Sequence, residues 1–373
     1  MSTDVVRDTD TVSLSGWLTV VVAAVLAIWI LDVARLKIIE VNEAALGGQT
    51  TAVLAESDGL QVSCSDALDS GLCEDAYQRA GHMPAVLWFG NSQNFAINRY
   101  KPGDELAVVI VHRWLKSRGT WLVSYTQPNA NLNEEALLFE ALTHRYDTRR
   151  VIIPVFMDKL REHGIRQEIT KFMDDPKTAD RVRRSPAWGD ISPFLTKELE
   201  LGVQSSLQNW TENMINSTME QSWPLWRDRS KLRSNLGFAL HILRNQLFGI
   251  HSYTTRIVDP QVYAEKMVIL DKLLQSADAQ KLKVLLYIPP YRKDIRGPYD
   301  DDQYTKFKVD VGMLAAKYSA DFVDLDNTVP GPLWATVVDT IFGFEEPDFM
   351  HFTAEGHQRL ADAMKMKLSD HGF

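Results

Sequence analysis

The stretch AVLWFGNSQ, residues 85–93, decides the fold. An unbroken apolar run from Ala85 to Phe89 ends on Gly90, and Ser92 stands just past it. A short apolar run closed by a turn residue reads as a buried strand. Outward from it, strand and helix signals alternate. GDELAVVIVHRWLKSRG (103–119) is amphipathic and closes on Gly119, so it predicts a helix. TWLVSYTQ (120–127) is a second strand. NEEALLFEALTHRY (133–146) predicts a second helix, with Asn133 as N-cap and Glu134 and Glu135 in its first turn. RRVIIPVF (149–156) is a third strand. KLKVLLYIPP (281–290) and ADFVDLD (320–326) are two more, separated by a helix over 302–319. A final helix fills 353–372, capped by Thr353. Short apolar strands alternating with helices imply βαβ units, and hence an α/β fold on a parallel sheet.

Residues 160–275 break the alternation. They have little strand character and read as a helical insertion over the sheet. The insertion holds Trp188, Trp210, Trp223 and Trp226 and the amphipathic run 236–250. Core packing accounts for such tryptophans; a membrane-facing or partner-facing surface is the alternative. Asn209 and Asn216 each stand two residues before a threonine, the glycosylation sequon, a pattern that also arises by chance. Residues 38–84, rich in Gly, Ser and Asp, read as a linker and entry segment ahead of the main domain at 85–373.

Of the 373 residues, 45% are apolar and 24% charged, a composition that builds a core. The net charge of −9 and the lack of a long basic run exclude a nucleic-acid partner. The two cysteines, Cys64 and Cys73, lack the pairing of a zinc or redox motif. They are ordinary thiols in a reducing compartment and able to close a short loop in an oxidising one. His112, His144, His163, His241, His251 and His357 have no metal-like spacing, so neither metal nor cofactor is expected.

Near the N-terminus, WLTVVVAAVLAIWIL (17–31) carries no charge. With its flanks it approaches the roughly 20 residues that a spanning helix needs. Acidic residues precede it and no small-residue cleavage site follows, so residues 1–37 read as an uncleaved transmembrane anchor. Arg35 and Lys37 follow the run; taken alone they place the C-terminal side in the cytoplasm.

Two constellations carry chemistry. Phe89-Gly90-Asn91-Ser92-Gln93 puts a serine at the carboxyl end of the first strand, where open parallel sheets bind ligands. There, entering a helix, it meets backbone N–H groups that stabilise an oxyanion. Asp348-Phe349-Met350-His351 places a carboxylate three residues before an imidazole on a loop. The carboxylate orients the ring, whose other nitrogen takes the serine proton. Either motif alone reads as a cap and a surface histidine. Together, in this order on an α/β chain, they point to an enzyme.

A GDS-like serine after the first strand and a DxxH near the end resemble the SGNH/GDSL hydrolase superfamily, over residues 85–160 and 280–370. The resemblance implies a flavodoxin-like three-layer sandwich and a triad of Ser92, His351 and Asp348 that performs ester chemistry. With the anchor, the chain is similar to membrane-anchored SGNH-like proteins that accompany membrane-bound O-acyltransferases in bacterial cell-envelope polymer acylation. That likeness implies a multi-span acyltransferase partner, a cell-envelope polysaccharide or acyl donor as substrate, and a catalytic domain outside the cytoplasmic membrane. There Cys64 and Cys73 are expected to form a disulfide. The chain departs from the family in two places. Asn91 replaces the usual Asp beside the serine, and no Gly-x-Asn-Asp block is recognisable. Gln127-Pro128-Asn129-Ala130-Asn131 follows the second strand instead, and Phe156-Met157-Asp158 the third. Asn91, Gln93, Asn129 and Asn131 are therefore the candidate oxyanion and substrate-binding residues. The two later asparagines read equally as turn and cap residues. The leading expectation is serine-dependent acyl transfer or ester hydrolysis. The alternatives are a non-catalytic glycan-binding or docking partner of a membrane acyltransferase and, less favoured, a cytoplasmic lipid esterase.

Overall fold

The computed structural model describes residues 49–202, 247–338 and 345–372, with positions 22, 26 and 244. The N-terminal run 17–31 apart from Val22 and Leu26, together with Trp210, Trp223, Trp226 and most of 236–250, lies outside the described residues, as do the two sequons. Among the described residues no helix is long and apolar enough to cross a membrane. The chain divides into two compact units, of which the α/β unit comprises Leu46–Gln204 and Asn245–Phe373.

That unit is built on six strands: β1 (Ser63–Cys64), β2 (Ala85–Gly90), β3 (Trp121–Thr126), β4 (Thr148–Pro154), β5 (Lys283–Ile288) and β6 (Asp321–Asp324). They lie in the order β6-β5-β4-β2-β3-β1, and every pairing is parallel. All residues of β2 and β3 are buried, as a strand covered on both faces requires. That is why β2 reads as a continuous apolar run rather than as alternation. Ala85 to Gly90 pair with Trp121 to Thr126 in unbroken register, so the two strands end side by side.

The helices are α1 (Ser70–Arg79), α2 (Ala107–Lys116), α3 (Leu132–Leu142), α4 (Pro260–Ala279), α5 (Asp301–Lys317) and α6 (Ala354–Asp370). α2 packs against α6, while α4 packs against both α3 and α5. Right-handed crossovers put α2 on one face and α3, α4 and α5 on the other. Setting the edge strand β1 aside, the order 6-5-4-2-3 is the flavodoxin-like winding. It reverses at β2, whose neighbours on its two sides are β3 and β4. The crevice at the carboxyl end of β2 is therefore the switch point, where open α/β sheets take their ligands.

Several expectations are corrected in detail. Residues 49–84 are not a simple linker: they supply β1, α1 and the short pairings Glu56–Ser57 with Leu60–Gln61 and Thr50–Ala52 with Ala96–Asn98. Two-residue strands carry no readable period. The cap of α3 is Asn131, not Asn133: its Oδ1 accepts from the N–H groups of Asn133 and Glu134, and Glu134 closes the capping box. Thr353 occupies the N-cap of α6 without a side-chain capping bond. In the 160–275 insertion the described residues form the helices Gln167–Thr170, Pro176–Arg184 and Trp188–Gly202 ahead of α4, whereas 161–166 and 250–259 are turn and loop. Trp188 is half-buried, whereas Leu247 and Phe248 are exposed. Cys64, at the end of β1, is disulfide-bonded to Cys73 in α1.

Candidate active site

β2 delivers Gly90 to the switch point. A Cβ on Gly90 would fall 2.5 Å from Asn94 Nδ2, so glycine leaves the room that the Asn94 side chain fills over the strand end. Ser92 then opens a single 3-10 turn, Ser92–Asn94, rather than the helix expected after the strand. Asn91 caps that turn: its Oδ1 accepts from Gln93 N–H at 3.0 Å. The Gln93 amide donates to Pro290 O at 3.0 Å, tying the turn to the loop after β5. Ser92, Gln93 and Asn94 are all buried.

The acid–base pair arrives from a hairpin of β7 (Trp334–Val338) and β8 (Glu345–Phe352). The Asp348–His351 motif thus lies within a strand, not on a free loop. In a regular strand, residues three apart point to opposite faces. Here Trp334 pairs with Phe352 but Thr336 with Pro347, so residues 348–351 bulge out of the ladder. Asp348 closes the bulge, because its Oδ1 accepts from the N–H groups of Met350 (2.7 Å) and His351 (3.0 Å). Its Oδ2 meets His351 Nδ1 at 2.9 Å. The carboxylate therefore fixes both the backbone and the ring. With Nδ1–H donating to Asp348, the neutral imidazole keeps Nε2 as its acceptor. Nε2 is buried and has no hydrogen-bond partner.

The Ser92–Asn94 turn packs against β8. The serine and the dyad thus share the carboxyl edge of the sheet, although no hydrogen bond joins Ser92 to His351. Catalytic hydrogen bonds commonly tighten only when substrate binds. Beside the turn lies an open hollow of about 520 Å³, lined by Phe95, Ser63, Cys64, Asp66, Thr126 and Gln127 among others.

The remaining candidate residues do not converge as oxyanion donors. Asn131 is spent on the α3 cap, and its Nδ2 donates to Gly164 O at 3.0 Å. Asn129 is an exposed turn residue in the left-handed region, with φ +50°. Asn91 and Gln93 hold the turn itself.

Sequence reasoning missed three groups around the dyad. Asn98 Nδ2 donates to Asp348 Oδ2 at 3.3 Å. Arg292 Nη1 donates to Ala335 O at 3.0 Å and to Asp348 O at 3.5 Å, bracing the hairpin. His357, fully buried in α6, donates from Nε2 to Ala96 O at 3.1 Å and accepts Ala107 N–H on Nδ1 at 3.2 Å. Burial pushes its imidazole down to about 3, so it stays neutral. Only Arg292 left a signal: it follows the strand-ending prolines of β5.

No family model matches the chain, and no curated protein matches it. Solved structures do. One is a GDSL-like lipase from Bacteroides thetaiotaomicron, 11% identical, covering 80% of this chain and 97% of its own, at a TM-score of 0.37. Another is a catalytic mutant of an acetylxylan esterase from Geobacillus stearothermophilus, 13% identical, covering 78% and 94%, also at 0.37. A third is a lipase/acylhydrolase from Enterococcus faecalis, 10% identical, covering 78% and 97%, at 0.34.

Proposed function

We propose that this chain is a serine acyl-transfer or ester-hydrolysing enzyme of the SGNH type, with Ser92 as nucleophile, His351 as general base and Asp348 as its orienting carboxylate. One observation carries the reading. A buried, carboxylate-oriented imidazole with a free Nε2 is held beside a buried serine at the switch point of a parallel sheet. Ser92 Oγ attacks the acyl carbonyl carbon as its proton passes to His351 Nε2. The bond to the leaving alkoxide then breaks, and His351 returns the proton to that oxygen. A water or an acceptor hydroxyl, deprotonated in turn by His351, attacks the acyl-serine and releases the serine with its proton restored.

The wider role we infer is acyl transfer, of acetyl groups in the first instance, on a cell-envelope polysaccharide or its acyl carrier. A membrane-bound O-acyltransferase is the partner, and residues 1–37 anchor the chain with the α/β unit outside the cytoplasmic membrane. The Cys64–Cys73 disulfide supports that placement, because such bonds persist in oxidising compartments. A second reading, a non-catalytic docking or glycan-binding partner, is favoured by the side-chain N–H donors of Asn131 and Gln93, both engaged in local structure.

A fluorophosphonate probe separates the two. Labelling of wild type that is lost in Ser92→Ala supports the enzyme. A folded wild type that takes no label leaves the docking reading standing.

A further inference from the structure

Asp348 Oδ2 accepts two hydrogen bonds. One comes from His351 Nδ1 at 2.9 Å, the other from Asn98 Nδ2 at 3.3 Å. Asn98 ends the short strand Ala96–Asn98, which pairs with Thr50–Ala52, and it is fully buried. Its neighbours dictate which way the amide points. Nδ2 faces Asp348 Oδ2 and, at 3.4 Å, Thr336 O. Both are acceptors, and a flipped amide would set oxygen against oxygen twice. The amide oxygen is buried on the other side with no partner.

The unpaired amide oxygen costs stability, which the bonds from Nδ2 offset only in part. What the side chain supplies is a donor to the one carboxylate oxygen that also holds the imidazole. The strand that carries it is pinned from behind, since His357 Nε2 donates to Ala96 O two residues earlier. Asn98 thus reaches Asp348 from a fixed backbone.

We propose that Asn98 is a positioning residue for the Asp348–His351 pair, fixing Asp348 Oδ2 so that the imidazole presents Nε2 to Ser92. The proposal rests on the assignment of Ser92, His351 and Asp348 given above. No hydrogen bond joins Asn98 to the serine, and Asn98 does not line the hollow beside it, so it acts through Asp348.

The test measures fluorophosphonate labelling rate at Ser92 together with the downfield proton NMR resonance of His351 Nδ1–H. Asn98→Leu keeps the volume and removes the donor; Asn98→Ala removes it without adding bulk. Each variant that keeps the wild-type circular dichroism spectrum is expected to label about ten- to a hundred-fold more slowly, the worth of one hydrogen bond to a charged group. The Nδ1 proton resonance is expected to shift or broaden, which a merely structural residue would not cause. Wild-type labelling and an unchanged resonance in a folded variant, with Ser92→Ala still unlabelled, overturn the positioning role and leave the enzyme standing. A folded wild type that does not label overturns both.

Discussion

The two sides of the switch point are built differently. On the hairpin side, Asp348 uses both carboxylate oxygens, fixes the bulge of its own strand and aims a histidine whose far nitrogen stays open. On the loop side, after β2 and β3, the candidate amides serve the backbone. Asn91 caps the serine turn, Gln93 ties it to Pro290, and Asn131 caps α3. On the hairpin side a carboxylate-held imidazole is thus assembled, while on the loop side the donors of Gln93 and Asn131 are already bonded to backbone carbonyls.

The largest expected effect tests whether the two sides act together. Ser92→Ala should abolish fluorophosphonate labelling and acyl transfer while leaving the fold intact. Asp348→Asn should fall short of that loss, since nucleophile and base remain. The equivalent change costs on the order of 10⁴ in kcat in the best-studied serine protease, the upper bound expected here. Wild-type turnover of a reporter ester by Ser92→Ala would remove the serine from the mechanism.

The next effect is in stability against acid. His357 is held neutral by burial, down from an ordinary value of 6.5 to about 3, and burial likewise lowers His112 to about 4. Above pH 6.5 neither folded nor unfolded chain binds these protons, and full stability is present. As pH falls below 6.5, the unfolded chain takes up protons that the folded chain refuses. Each histidine then subtracts about 1.4 kcal/mol per pH unit until its folded value is reached. His357→Gln, which cannot protonate, should flatten the fall of the urea midpoint between pH 6.5 and 4. An unchanged slope would mean that His357 titrates alike in both states.

How much of this was legible follows from where each signal resides. β2, β3, β4 and β5 are legible because the stretches of them buried on both faces are largely apolar. β1 did not, because Ser63 and Cys64 are too few to show a pattern. The spacing of Asp348 and His351 was readable, but the bulge that lets residues three apart meet exists only once Thr336 and Trp334 pair unevenly with β8. Asn98 was invisible: a buried asparagine with one donor in use looks, in sequence, like any turn residue. The choice between Asn131 and Asn133 as cap turned on a capping box with Glu134, a pattern present in the sequence but read two residues late.

On the loop side, Asn131→Ala should cost about 1 kcal/mol, the usual worth of an N-cap, with the added loss of the bond to Gly164 O. Acyl transfer per folded molecule should not change. A ten-fold or larger fall in kcat without a matching fall in stability would return Asn131 to the reaction.

The smallest expected effect gives the sharpest reading of that side. Asn129 is exposed, sits just past β3 and adopts φ +50°, a conformation that asparagine tolerates and glycine adopts freely. Asn129→Gly therefore removes the amide while keeping the turn. If Asn129 serves only the turn, stability should move by no more than about 0.5 kcal/mol, the range of ordinary surface changes, and kcat should stay at the wild-type value. If instead its amide swings over the serine to meet the developing oxyanion, kcat should fall by about 10²–10³, the measured scale for losing one such donor. Glycine preserves the backbone in both cases, so the two outcomes differ by at least two orders of magnitude in kcat at nearly equal stability. Single-turnover measurement of deacylation in Asn129→Gly decides between them, and a fall of that size would show that the loop side carries an oxyanion donor after all.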